Sequence, residues 1–272
     1  MELINDSVHK GGNALESCIK FELTNNVAIL SLNNPKELNA MTLEMRERLL
    51  ELLQECEKSP EVKVIVLKGE NGNFCSGSSV NGMGNRTILG TFNHMKLFSG
   101  VISKIYNMDK IVISMVEGYA VGAGFSLALA ADIVYASDDA KFGLAFNKLG
   151  LIPDCGLNYF LPQLVGPYKA KEWILSGSMI LVEEAKENRI VNEIISKEKL
   201  LATVIEKAEH IASGPFYTNI FTKEIINKSS QRTLEETLEA ERYAQTILQQ
   251  TEDHKEGINA FRNKQKPVFV GR

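Results

Sequence analysis

The sequence lacks most features that would set it apart from ordinary globular proteins. Its 272 residues contain no low-complexity tract and no long run of one charge, so most of the chain should fold. No CxxC spacing suggests a zinc site or a redox pair. The four cysteines lie far apart, at Cys18, Cys56, Cys75 and Cys155. We therefore expect no metal site, and reduced thiols in a cytoplasmic protein.

Neither a nucleic-acid partner nor a membrane is indicated. The formal net charge is −4, whereas nucleic-acid binders usually carry a basic face. The longest apolar stretch, Tyr119 to Ala131, is interrupted by glycines and is shorter than the roughly 20 residues that a membrane span needs. The polar start, Met1 to Gly12, has no apolar signal-peptide region. We expect residues 1–17 to form a flexible leader.

Hydrophobic patterning predicts an α/β core over residues 1–195 and a helical region over 196–272. Short apolar runs alternate with helical spacing, which favours βαβ units over a sandwich. The predicted strands are Cys18–Leu23, Val27–Leu32, Val62–Lys68, Ile111–Val116 and Ile133–Ala136. The predicted helices between them run from Thr42 to near Ser59, over Thr91–Met108 and over Gly122–Ala131. Beyond Asp154 the pattern is almost wholly helical.

Three stretches could carry chemistry. Phe74–Val80 is rich in small residues, which allow a ligand close to the backbone, although an ordinary flexible loop has the same composition. Gly118–Ser126 puts glycines at a helix start, where free N–H groups suit an anion or a developing oxyanion; close helix packing is the alternative. Phe142–Gly156 contains Asp154 among apolar residues, where an aspartate is usually a helix N-cap.

Together these stretches resemble the crotonase (enoyl-CoA hydratase/isomerase) superfamily. The resemblance extends from Val27 to Phe261 and includes Asn34–Met41 and Ala131–Val134. It implies a spiral of ββα turns with a C-terminal helical trimerisation region, and a homotrimer or dimer of trimers. It also implies an acyl-CoA substrate, with coenzyme A as part of the substrate and no separate cofactor.

The resemblance also implies roles for individual residues. The backbone N–H groups of Ser78 and Ala123 would hold the thioester oxygen, and removing one such donor typically costs on the order of 100- to 1000-fold in rate. Phe146 would contact the substrate. The implied coenzyme A contacts are Lys36, Leu38, Ser76, Ser79, Val80 and Asn81, with Phe261 and Lys264 near the C-terminus, sometimes supplied by a neighbouring subunit.

The chain departs from the hydratases of this superfamily at both of their glutamates, where it has Ser126 and Phe146. Around Asp154 it is similar instead to the ring-1,2-epoxyphenylacetyl-CoA and Δ3,Δ2-enoyl-CoA isomerases, in which this aspartate is the acid/base. Burial among Phe146, Ile152 and Leu157 would raise its pKa. The sequence therefore favours an isomerase that uses Asp154 for a 1,3-proton shift.

Other reactions stay open. An aspartate at this place is the nucleophile of a related dehalogenase, which also needs a histidine, and His94 can be compared with that residue. Glu117 is a minor rival carboxylate. Low-grade hydration, decarboxylation and a non-catalytic acyl-CoA-binding subunit are further alternatives.

Overall fold

Two asparagines turn the chain between its first two strands. In the computed structural model of the protein, which describes residues 18–81 and 83–272, Asn25 and Asn26 adopt positive φ angles of 46° and 64°. Asparagine tolerates this conformation better than most residues. The strands β1 (Ile19–Thr24) and β2 (Val27–Leu32) therefore pair as an antiparallel hairpin. The predicted leader, residues 1–17, lies outside the described residues.

The apolar runs of the sequence form a six-stranded main sheet. Its order is β1-β2-β3-β4-β6-β9, and every pair after the first is parallel. The added strands are β3 (Val64–Gly69), β4 (Ile111–Val116), β6 (Ile133–Ser137) and β9 (Glu193–Ile195). Parallel strands buried on both faces are near-continuous in apolar residues, which explains why the sequence pattern located them.

Three short strands form a second sheet, in the order β5-β7-β8. They are β5 (Tyr119–Val121), β7 (Lys141–Gly143) and β8 (Met179–Leu181). β5 follows β4 directly and pairs with β7 in parallel, so the chain alternates between the main and second sheets as it advances. Beyond Asp154, where the sequence predicts an almost wholly helical chain, the structure adds two strands of three residues each, β8 and β9.

Ten helices surround the sheets in the described residues. They are α1 (Leu43–Lys58), α2 (Ile88–Asn107), α3 (Ala123–Leu129), α4 (Leu157–Val165), α5 (Pro167–Ser176), α6 (Val182–Glu187), α7 (Lys197–Ala212), α8 (Phe216–Ser229), α9 (Leu234–Leu248) and α10 (Glu252–Asn263). Thr42 caps α1 by accepting from the Met45 N–H. In the described ranges, no helix combines the length and apolar character that crossing a membrane requires.

The core has two layers, one on each face of the main sheet. One apolar cluster includes residues of α1, α2 and α3, and the other includes residues of α7 against β3, β4 and β6. The helix Lys197–Ala212 thus packs on the main sheet, although it lies beyond residue 195, where the sequence suggested that the core ends. The later helices α8 to α10 lead away from this layer.

Candidate active site

The glycine-containing loop after β3 is held between two neighbours. Cys75 donates its N–H to Tyr119 and accepts from Val121, which binds the loop to β5. On the other side, Met41 donates to Gly77 at 2.7 Å and accepts from Ser79 at 3.2 Å. This parallel bridge uses the groups of the residues flanking Ser78, so the Ser78 N–H points away from Met41.

The second predicted donor lies at the start of α3. Ala123 is the first residue of the helix, and the helix cap is Gly122, with φ 56°. A Cβ built at Gly124 would lie 2.2 Å from the Cys75 carbonyl oxygen, and one at Gly77 would lie 2.8 Å from the Val121 oxygen. Only glycine allows the loop and the helix start to approach so closely.

Neither predicted donor has a partner within the protein. Among the described residues, the N–H groups of Ser78 and Ala123 donate to no backbone or side-chain acceptor. Ala123 is buried, and Ser78 is half-buried. Because buried N–H groups are nearly always hydrogen-bonded, two such groups on adjacent segments form a suitable receptor for a ligand oxygen.

Asp154 does not cap the helix that follows it. The cap of α4 is Gly156, at φ 83°, and no side chain donates or accepts there. The Asp154 backbone is held instead by the Ser126 hydroxyl, which donates to its carbonyl oxygen at 2.9 Å. Ser126 lies one turn into α3, so this bond ties Asp154 to the helix that presents the Ala123 N–H.

The Asp154 carboxyl group is half-buried, and the protein does not satisfy all of its hydrogen-bonding capacity. One of its oxygens, Oδ1, is buried and has no hydrogen-bond partner among the described residues. Burial raises the pKa of this carboxyl above its usual value, while the Cys155 thiol and the Arg46 guanidinium act to lower it. A raised pKa and a free oxygen are what a group that exchanges protons with a ligand requires.

The expected apolar surroundings of Asp154 are only partly present. Phe146 is 8% exposed and Leu157 is fully buried. Ile152, however, is 79% exposed, so the prediction that it helps to bury the carboxyl is wrong. The reason is local: residues 151–154 run outside regular structure before Cys155, which itself has a positive φ of 52°.

Ser126 and Phe146 occupy the two positions at which the related hydratases carry glutamates, and neither side chain can act as the acid or base that a glutamate would be. Ser126 is completely buried and already donates to Asp154. The Phe146 ring lies beside Gly122, 3.7 Å from the position that a Cβ would take there. In the described ranges, the acidic residue that Ser126 ties to the helix presenting the Ala123 N–H is Asp154.

Most predicted coenzyme A contacts lie together on one surface. Ser76 donates its N–H to Leu38 at 3.0 Å and its hydroxyl to the Glu37 carbonyl at 2.6 Å. The Asn81 amide donates to the Glu37 carboxylate at 2.5 Å. The predicted residues that this brings to one edge of the site are Lys36, Leu38, Ser76, Ser79, Val80 and Asn81, with Lys36 and Val80 exposed.

Phe261 and Lys264 lie elsewhere, at the end of α10. Phe261 is 86% exposed and borders a groove of about 590 Å³ that Pro215, Leu248 and Phe269 also line. Lys264 caps the same helix in a left-handed conformation. Their role as coenzyme A contacts remains a prediction.

The sequence interpretation missed Arg46 and undervalued His94. Arg46 lies on α1 and is 1% exposed, and its Nη1 contacts the Nε2 of His94 on α2. His94 is thus half-buried at the site rather than turned to solvent. Arg46 shares the i, i+3, i+7 spacing of Leu49 and Leu53, which was the available signal that it faces the core.

Comparisons with known proteins show the family to which the chain is similar. Residues 22–272 match the family model described as enoyl-CoA hydratase/isomerase. The chain is 34% identical to the 1,2-epoxyphenylacetyl-CoA isomerase of Escherichia coli K12, over 90% of this chain and 95% of the relative. It is 30% identical to the 2,3-dehydroadipyl-CoA hydratase of the same organism, over 90% and 96%.

A solved structure is also similar. The enoyl-CoA hydratase from Bacillus anthracis superimposes with a TM-score of 0.90 at 29% identity, over 94% of this chain and all of that one. Its backbone architecture is the one described above.

Proposed function

The chain belongs to the enoyl-CoA hydratase/isomerase family, and from that premise we propose that it is an acyl-CoA isomerase in which Asp154 moves a proton between two carbons of the acyl group. The crotonase fold expected from the sequence is confirmed, and the family makes the chain an enoyl-CoA hydratase/isomerase-type enzyme. The observation that carries the proposal is a half-buried carboxyl group with an unpartnered oxygen, on a residue that Ser126 ties to the helix presenting the unpartnered Ala123 N–H.

The reaction needs one base and one oxyanion site. Asp154 takes a proton from the α-carbon of a 3-enoyl thioester, and the electron pair of that C–H bond moves onto the thioester oxygen as a dienolate. The Ser78 and Ala123 N–H groups stabilise the negative oxygen. The same carboxylic acid then gives a proton to the γ-carbon, the oxygen charge returns to the carbonyl, and the double bond lies between the α- and β-carbons.

Water addition needs more groups than this site offers. A hydratase must activate water and also protonate the α-carbon. Ser126 is committed to the Asp154 carbonyl, and Phe146 has no titratable group. Relatives named as hydratases and as isomerases both match the chain, so the missing pair of carboxylates is what favours isomerisation.

Substitution of the base tests the proposal. We expect the wild type to convert 3-enoyl-CoA to 2-enoyl-CoA and to hydrate crotonyl-CoA only slowly. Asp154→Asn should lower the isomerisation rate by roughly 100- to 10,000-fold, because general acid–base catalysis contributes that much. Glu117→Gln removes the rival carboxylate, which lies 4.0 Å from Lys197, and should leave the rate unchanged. Rapid hydration of crotonyl-CoA that survives Asp154→Asn would refute the assignment.

We also propose that the functional protein is a homotrimer or a dimer of trimers. The helix α9 has no buried residue, yet Leu234 and Leu238, one turn apart on one face of the helix, are 68% and 48% exposed. Neighbouring exposed apolar side chains of this kind support an interface at this face. Phe261, 86% exposed on the next helix, would then be available to a neighbouring subunit.

A further inference from the structure

Arg46 is a buried arginine without an acidic partner. It is 1% exposed, and none of the ion pairs among the described residues includes it. Its Nε atom has no hydrogen-bond partner there. Arginine is almost never fully buried unless it is paired, and an unpaired buried cation is costly. A role for this charge must therefore be sought in its surroundings.

The contacts of the guanidinium group join two parts of the site. Its Nη2 donates to the Met41 carbonyl oxygen at 3.2 Å, and its Cζ lies 4.4 Å from the centre of the Phe98 ring. That same Met41 oxygen accepts from the Ser79 N–H. Arg46 thus supports the bridge that orients the Ser78 N–H.

The third contact fixes the state of His94. The guanidinium has only donors, so the Nε2 of His94 must accept its hydrogen bond, and Nδ1 carries the imidazole proton. Burial, then the charges of Arg46 and Arg86, lower the pKa of His94 to about 4. His94 is therefore neutral at physiological pH, and it is not a second cation at the site.

Arg46 and Asp154 each hold a buried polar atom without a hydrogen-bond partner among the described residues: Nε of Arg46, which carries positive charge, and Oδ1 of Asp154, which carries negative charge when ionised. The titratable and charged groups around Arg46 are His94, Cys155, Asp154, Arg86 and Cys75. The Asp154 carboxyl is raised in pKa by burial and lowered by the Cys155 thiol and by Arg46. The Cys155 thiol is neutral, whereas the Arg46 guanidinium carries a positive charge opposite to that of the carboxylate.

We propose that Arg46 is a positioning residue of this site: a buried cation that keeps the Asp154 carboxylate anionic and ready to accept a proton, and that steadies the backbone presenting the Ser78 N–H. This role in catalysis rests on the proposed function, in which Asp154 is the base. The guanidinium does not touch the reacting atoms; it acts through Asp154, Met41 and His94.

Two substitutions separate the charge from the hydrogen bonds. Arg46→Gln keeps an amide donor but removes the charge, and Arg46→Lys keeps the charge. Arg48→Met is the control, because Arg48 lies on the same helix but pairs with Glu51 and Glu55 on the surface.

The pH profile of kcat for isomerisation is the main measurement. A base must be deprotonated, so the rate falls as the pH drops through the Asp154 pKa. Without the cation, the pKa of Asp154 rises. In Arg46→Gln, the fall in kcat on the acid side of the pH profile should therefore occur about one pH unit higher than in the wild type. At a given pH on that side, kcat should be about tenfold lower. Arg46→Lys should restore the wild-type profile, and Arg48→Met should not move it. An unmoved profile in Arg46→Gln would overturn the proposal, as would an equal shift in Arg46→Lys.

A titration without turnover distinguishes this inference from the proposed function. The Asp154 carboxyl carbon can be followed by NMR in protein carrying ¹³C-labelled aspartate, assigned with Asp154→Asn. The His94 ring can be followed in the same way, assigned with His94→Gln. In Arg46→Gln both pKa values should rise. If they rise while no enoyl-CoA is isomerised, the proposed function fails and the role of Arg46 stands; if neither moves, the role of Arg46 is refuted.

Discussion

The family resemblance predicted Ser78 and Ala123, whose roles depend on the backbone. They lie beside Gly77 and Gly124, where the close approach of the loop and the helix start requires glycine. Side-chain partners were harder to foresee. Arg46 lies on the buried face of α1, but an arginine in such a pattern is usually expected at the edge of the face, with its head in water. Its partners His94 and Phe98 come from another helix.

The Ala123 N–H can be removed with little change to the helix. Ala123 is the first residue of α3, and proline is tolerated at this position because its missing N–H has no helical partner. We expect Ala123→Pro to lower kcat by about 100- to 1000-fold, as loss of one oxyanion donor does. Ala123→Gly retains the N–H and serves as the control. Comparable kcat values for the two variants, each shown to be folded by circular dichroism, would argue against an oxyanion at this group.

At the scale of elements, five of the six strands of the main sheet were predicted, whereas β9 and the strands of the second sheet were not. The run Ile111–Val116 was predicted with its observed bounds, since a strand buried on both faces is apolar throughout. The strands β5, β7 and β8 have three residues each. Three residues are too few to show a period of two, and their pairing with distant segments leaves no local signal.

Helices were predictable in type, with shifts of a few residues at their ends. The helix predicted from Thr42 to near Ser59 spans Leu43–Lys58, whereas α2 begins at Ile88 rather than at Thr91. The cap explains this difference: Thr87 accepts from the Gly90 N–H at 3.1 Å and so starts the helix three residues earlier. The apolar pattern did not reveal this start, because Ile88 and Leu89 are exposed.

The packing of α3 against the glycine-containing loop should be intolerant of one methyl group. A Cβ at Gly124 would lie 2.2 Å from the Cys75 oxygen, whereas one at Gly100 of α2 would meet only Leu50 at 3.9 Å. We expect Gly124→Ala to lower the free energy of unfolding by about 1–3 kcal/mol or more. Gly100→Ala should raise it by about 0.5–1 kcal/mol, as alanine does in a helix interior. Urea unfolding measures both, and an equal effect of the two substitutions would contradict the close approach.

At the scale of the whole molecule, a buried ion pair joins the C-terminal helices to the main sheet. Lys223 on α8 lies 3.0 Å from Asp132, which itself accepts from the Val112 N–H. Lys223 also donates to the Ile105 and Lys110 carbonyls. These bonds hold α8 against the main sheet. The next helix, α9, follows α8 directly and exposes Leu234 and Leu238 on one face.

We expect that face to be covered by other copies of the chain. Light scattering after size-exclusion chromatography should give three or six times the 30.2 kDa mass of one chain. Replacing both Leu234 and Leu238, which are 68% and 48% exposed, with glutamate should shift the mass toward the monomer, because charge is disfavoured at an interface core. The exposed Glu235→Gln and Glu239→Gln changes on the same helix serve as the control. A wild-type protein of monomer mass at micromolar concentration would refute the trimer.

The most direct test of the central claim is the position of deuterium after turnover, in H₂O, of 3-enoyl-CoA that carries two deuterium atoms on its α-carbon. A proton shuttle through Asp154 predicts 2-enoyl-CoA with deuterium transferred to the γ-carbon and no added oxygen, and predicts that Asp154→Asn abolishes this transfer. Mass spectrometry and NMR of the product read both outcomes. A 3-hydroxyacyl-CoA product without γ-deuterium, formed equally by the wild type and Asp154→Asn, would contradict the account.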